Sequence, residues 1–137
     1  MINRMGYLAA ATAVALGTTG GSALAAFKTG DYRGPTKQQD KFIQFKASKK
    51  KVSALYVTFS AKCSNGTTLT TSDSGLKGRI KSGGKFTAKH SGLVVKGKLK
   101  GTKAKGTLRF KSTANGTTCD TGRVAWTAEL GNGASPG

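Results

Sequence analysis

Leu93-Val94-Val95-Lys96-Gly97-Lys98-Leu99-Lys100-Gly101-Thr102-Lys103-Ala104-Lys105-Gly106-Thr107-Leu108-Arg109-Phe110-Lys111 is the stretch on which the fold turns. Leu93, Val95, Gly97 and Leu99, then Ala104, Gly106, Leu108 and Phe110, alternate with Val94, Lys96, Lys98 and Lys100, then Lys103, Lys105, Thr107, Arg109 and Lys111. A period of two with one apolar and one charged face describes antiparallel strands that bury one side. Gly101-Thr102 is the length and type of a two-residue hairpin loop. That loop sets Leu99 opposite Ala104, Gly97 opposite Gly106, Val95 opposite Leu108 and Leu93 opposite Phe110, a coherent inner face. Outside, Lys100 meets Lys103, Lys98 meets Lys105 and Val94 meets Arg109. A slip of one residue would turn the apolar set to water, so the register is strongly specified.

The same alternation runs along the rest of the chain. Ile43, Phe45 and Ala47 form one run, and Leu55, Val57, Phe59, Ala61 and Cys63 line one face of Ser53–Cys63. Val124, Trp126, Ala128 and Leu130 form another, and shorter runs fall at Thr67–Thr71, Leu76–Lys81 and Lys85–Lys89. About eight strands separated by Gly, Ser and Asn predict an all-β fold, a single antiparallel β-sandwich or small β-barrel. No helix of three turns is expected after Ala26, and Lys28–Asp40 reads as irregular. The inner face should hold Phe45, Val57, Phe59, Val95, Leu99, Leu108, Phe110 and Trp126. Tyr32 and Tyr56 fall off this parity and are the only candidates for exposed rings.

The whole chain has 137 residues with 23 Lys+Arg against 5 Asp+Glu, a net charge of +18. Its length allows one small domain. Hydrophobic residues are 36% of the chain, so the core is thin. Arg4, the apolar run Tyr7–Leu16 and the small residues Ala23-Leu24-Ala25 compose a secretory signal peptide over residues 1–25. The apolar run reaches about half of the roughly 20 residues a membrane span requires. The mature chain then begins at Ala26 or Phe27, the β-domain occupies 26–130, and 131–137 is a disordered tail. Removing Arg4 leaves 22 basic residues against the same 5 acids. Export places the protein outside the cytoplasm, secreted or periplasmic, where two Cys in a small domain pair: Cys63 with Cys119. Each Cys lies beside an Asn-Gly-Thr-Thr sequence, at Asn65–Thr68 and Asn115–Thr118. Asn-Gly is first of all turn chemistry, although Asn65 and Asn115 also satisfy the glycosylation sequon.

Gly30-Asp31-Tyr32-Arg33-Gly34-Pro35-Thr36-Lys37-Gln38, Phe42-Ile43-Gln44-Phe45, Gly101–Arg109, Cys119-Asp120-Thr121-Gly122 and Trp126-Thr127-Ala128 together resemble a group of small exported β-rich bacterial proteins, of actinobacteria especially, whose function is unassigned. The resemblance spans most of the mature chain and rests on turn glycines and core aromatics. It implies export and a β-fold, and it carries no active site.

Function must therefore be read from charge. Lys96, Lys98, Lys100, Lys103, Lys105 and Arg109 share the outer face of the hairpin, where like charges directly opposite each other are destabilising. Strand lysines also guard sheet edges, but mixed charges would serve solubility equally well. The one-sided balance points to a polyanion-binding surface whose partner is an anionic polymer or surface: cell wall, anionic lipid or nucleic acid. Lys49-Lys50-Lys51 reads as a solvated turn that matters only if it lies beside this hairpin. A structural or protein-interaction role in the cell envelope is the alternative, and an enzyme with an unrecognised site is the third. His90 has no carboxylate near it in sequence, and Asp31, Asp40, Asp73, Asp120 and Glu129 are scattered. The expectation is no catalytic residues, no metal and no cofactor.

Overall fold

A computed structural model describes residues 26–131. The signal peptide assigned to 1–25 and all of the tail beyond Gly131 lie outside the described residues. Nine strands follow in chain order: β1 Gly30–Pro35, β2 Phe42–Ala47, β3 Lys51–Cys63, β4 Thr68–Arg79, β5 Lys85–His90, β6 Leu93–Lys100, β7 Lys103–Ala114, β8 Thr117–Asp120 and β9 Val124–Leu130. All ladders are antiparallel, and the order is β4-β3-β2-β1-β9-β7-β6-β5, with β8 bridging β3 and β7. Strands β1, β2, β3, β8, β7 and β9 thus close a hydrogen-bonded barrel, with β4, β5 and β6 outside it. The outer edges of β4 and β5 approach each other at the bridge Ile80↔Phe86.

The hairpin register is the one the alternation demands, from Leu93↔Phe110 through Gly97↔Gly106 to Lys100↔Lys103. Of the eight residues assigned to the inner face, seven are buried, and Phe110 is half-buried against Phe59 at 5.0 Å between ring centroids. Two strands beyond the expected eight appear, and two expected short ones fuse. β8 emerges because Asn115 and Gly116 both take positive φ, 51° and 78°, folding the chain straight back onto β7. Thr67–Thr71 and Leu76–Lys81 merge into β4 across Gly75, whose φ of 76° absorbs an extra residue. Ala54, at φ 51°, does the same in β3. The bulge there resets the parity, so that both Val52 and Leu55 point inward despite their odd spacing.

The segment read as irregular contains β1, and with it comes a correction: Tyr32 is 1% exposed, not a surface ring. Its ring stacks on Phe45 at 5.3 Å and 5°. Its hydroxyl donates to the carbonyls of Lys28 at 2.6 Å and Gly101 at 3.2 Å, which satisfies the one polar atom taken inside. Burial pushes the phenol above its ordinary pKa. Tyr56 is half-buried beside Phe42. At the chain's other end, the Gly131 N–H donates to the Asp31 carbonyl at 2.9 Å, so hydrogen-bonded structure extends past residue 130.

The strands alternate in direction, so the barrel has two distinct ends. Gly30, Ala47, Lys51, Arg79, Lys85, Lys100, Lys103 and Leu130 mark one, the foot. Cys63, Thr68, His90 and β8 mark the other, the crown. Cys63 and Cys119 are directly opposed across β3 and β8 and joined as a disulfide. Their Cα atoms are 3.9 Å apart, below the usual 4.4–6.8 Å range. The neighbouring pair Ser64 and Thr118 carries the ladder hydrogen bond, which makes the cysteines a narrow, non-hydrogen-bonded pair.

Candidate polyanion-binding surface

At the foot, β5, β6 and β7 place their outward residues in rows across the sheet. Lys85 faces Lys98, which faces Lys105. Adjacent strands lie roughly 4.8 Å apart, so three ammonium-bearing chains stand side by side. Lys96, Lys98, Lys100, Lys103 and Lys105 are all exposed, and none forms an ion pair among the described residues. Lys96 is flanked by Thr87 and Thr107, so the row above the lysine triplet is hydroxyl-bearing and uncharged.

The structure also places acids on this surface. Lys103 faces Glu129 across β7 and β9. Arg109 is held by Asp120 through two hydrogen bonds, its Nη2 donating at 2.8 Å and its Nε at 3.2 Å. The fork of the guanidinium matches the two carboxylate oxygens. The contact holds Asp120 down to a pKa of about 2, chiefly through the Arg109 hydrogen bond, with help from the Gly122 N–H. The hairpin face thus meets an acid at each of its two ends. Arg109 sits near the crown with its charge already engaged, while Lys96, Lys98, Lys100 and Lys105 remain without a carboxylate. Sequence distance hid both acids: Asp120 arrives on β8, a strand the alternation did not show, and Glu129 arrives through the β7–β9 pairing. Lys85 joins the hairpin lysines through the β5–β6 register, which no local pattern in the sequence reveals.

The hairpin itself owes its shape to glycine. Gly97 and Gly106 face one another where β6 and β7 curl most closely. A Cβ on Gly106 would lie 1.8 Å from the Lys96 carbonyl oxygen, and one on Gly97 would lie 2.7 Å from the rings of Phe86 and Trp126. The absent side chains let those two aromatic rings fill the interior and let the lysine rows bend with the barrel.

His90 lies at the crown, and here too the structure supplies the carboxylate absent from its sequence neighbourhood. Its Nδ1 is 2.8 Å from Asp73 Oδ2, and the other Asp73 oxygen accepts from the Ser74 N–H at 2.9 Å. This pair spans β4 and β5 and fastens the crown end of their seam. No group of three or more His, Cys, Asp or Glu side chains that could hold a metal ion occurs among the described residues. No helix among them is long and apolar enough to cross a membrane. Comparison with protein-family models, curated proteins and solved structures finds no match for this chain.

Proposed function

We propose that this is a non-enzymatic exported protein that binds an anionic polymer through the foot of its barrel. The observation that carries the reading is Lys98, which stands between Lys85 and Lys105 with no carboxylate in the row. Like charges placed directly opposite oppose folding by tenths of a kcal/mol to about 1 kcal/mol per pair. A bound anion converts that repulsion into attraction. The lysines are point charges on flexible stems, which suits binding without selectivity for sequence or stereochemistry. The disulfide agrees with an oxidising destination.

Lys98→Ser together with Lys105→Ser tests the reading. The variant should elute from heparin or DNA at lower salt. Its melting temperature should stay equal or rise slightly, because the like-charge row is broken. Loss of stability with unchanged retention would show that the lysines serve the fold and would end the proposal.

One observation favours the alternative of a protein-interaction role. Residues 68–72 of β4 are exposed, and the outer edge there has no ladder partner among the described residues. Leu69, 38% exposed, lies on it. An open strand edge can accept a strand from another chain. Sedimentation with Leu69→Lys as the control separates the two readings.

A further inference from the structure

Lys49-Lys50-Lys51 lies at the same end of the fold as the lysine rows, on the far side of the β4–β5 seam. Lys51 faces Arg79 across β3 and β4, a further like-charge pair, and the Ile80 N–H donates to the Lys50 carbonyl at 2.8 Å. Lys50, Lys51, Lys77, Gly78, Arg79 and Ile80 line an open groove of about 680 Å³, and none of the acids lines it. The next step across the seam is short. Gly78 has no side chain, and a Cβ there would lie 2.1 Å from the Thr87 carbonyl oxygen, so the backbones of β4 and β5 meet directly. The Lys81 N–H donates to the Lys85 carbonyl at 2.7 Å, closing the turn that brings Lys85 to the same end.

We propose that one flexible anionic chain crosses the β4–β5 seam, seated at one side in the groove of Lys50, Lys51, Lys77 and Arg79 and at the other along Lys85, Lys98 and Lys105. This deepens the function proposed above and rests on it. Lys51, Arg79, Lys85, Lys98 and Lys105 occupy successive strands at the foot, so the path crosses four strand spacings, about 19 Å at roughly 4.8 Å each. The chemistry wanted is a chain with a repeated anionic group, a phosphodiester above all, because Arg79 offers a planar fork for its oxygens. The cations follow a curved wall. A flat anionic membrane would touch only a strip of that wall, whereas a flexible polymer can follow all of it.

Oligothymidylates serve as the probe. The duplex rise of about 3.4 Å per nucleotide is a lower bound for an unstacked single strand, so at most about six nucleotides span the path. An oligomer of about twelve should bind one to one, and its affinity should fall at least tenfold in both Lys77→Ser/Arg79→Ser and Lys98→Ser/Lys105→Ser. Each pair of substitutions should flatten the log–log salt slope by about 1.4, at roughly 0.7 per charge for a single strand. A dinucleotide, too short to reach both sides of the seam, should bind weakly, and neither variant should cost it the loss that the long oligomer shows. Cooperative melting at or slightly above the native midpoint confirms that both variants fold. If only the Lys98/Lys105 variant weakens the long oligomer, the crossing is wrong and the proposed function stands. If only the groove variant weakens it, the crossing is wrong and so is the surface on β6 and β7. If neither variant does, both proposals fall. Tight binding to phosphatidylserine vesicles with none to the oligomer would also overturn the crossing.

Discussion

Two residues in this barrel stand between lysines on neighbouring strands, one at each end. At the crown Asp120 of β8 faces Lys62 of β3 and Lys111 of β7, and also takes the fork of Arg109. At the foot the equivalent central position, between Lys85 of β5 and Lys105 of β7, is Lys98. The crown thus carries a compensated charge cluster, and the β5–β7 side of the foot an uncompensated one, while Glu129, between Arg33 and Lys103, relieves the β1–β9–β7 side of the same end. The crown also has the disulfide and the His90–Asp73 pair. The covalent link and the Arg109–Asp120 ion pair thus lie at the same end. Unrelieved charge concentrates where the strands are tied mainly by backbone ladders and by close glycine contacts. The contrast teaches that the basic residues are not a uniform coat: some are structural partners, and the rest are free to meet an anion.

The strongest way to break that separation is to open the crown. The disulfide closes a loop of 56 residues in sequence separation. In the chain-entropy model its loss costs about 4 kcal/mol, a large share of the stability of a domain this size. Cys63→Ser with Cys119→Ser should lower the melting midpoint steeply. Heparin retention, measured well below that midpoint, should be unchanged. If retention falls while the protein is still folded, the two ends are coupled and the comparison fails.

The next largest effect sharpens the foot. Gly106→Ala pushes a methyl group into the Lys96 carbonyl, a backbone atom that cannot rotate away. Overpacking of this kind typically costs 1–3 kcal/mol. The strands must separate to admit the methyl group, so the variant should lose both stability and affinity. Gly66→Ala makes the crown comparison, because a Cβ there meets nothing within 4 Å. The latter should cost only the strain of its φ of 88° and leave binding alone. Urea titration and oligothymidylate binding of the two variants check both expectations.

What was legible in the sequence follows the same division. The β6–β7 hairpin could be read completely, because a two-residue loop and an unbroken alternation leave one register. The disulfide was readable from the signal-peptide pattern of residues 1–25 together with the cysteine count. β1 was missed because Gly34 and Pro35 interrupt its pattern. Gly34 is required where a Cβ would lie 2.0 Å from the Thr127 carbonyl. β8 was missed because Thr117-Thr118-Cys119-Asp120 is short and has no apolar alternation; turn geometry and the disulfide place it. The relation of Lys50, Lys51 and Arg79 to the hairpin was invisible for a different reason. It depends on β4 and β5 meeting across a seam with a single bridge, a long-range closure that no local pattern encodes.

The smallest effect is the pH dependence of the crown. Asp120 has a folded-state pKa of about 2, below the ordinary aspartate value near 4. A depressed carboxylate pKa means that the folded state binds the proton less well than the unfolded chain does. The contribution of the Arg109–Asp120 contact is therefore fully present above about pH 4 and is lost as pH falls toward 2. Asp120→Asn isolates this contribution, because the amide oxygen can still accept from the Gly122 N–H, which Asp120 Oδ1 does at 2.7 Å. The melting temperature of the variant should lie slightly below that of the native chain at pH 6, with the gap closing by pH 2. The foot behaves differently: no carboxylate stands in the Lys85–Lys98–Lys105 row, so any gain in melting temperature of Lys98→Ser/Lys105→Ser should not close with acid. High salt, in contrast, should shrink both differences, since both clusters are exposed and screened. A gap for Asp120→Asn that persists at pH 2 would mean that the residue matters through its turn with Gly122, and the crown would then lack the ionic compensation that sets it apart from the foot.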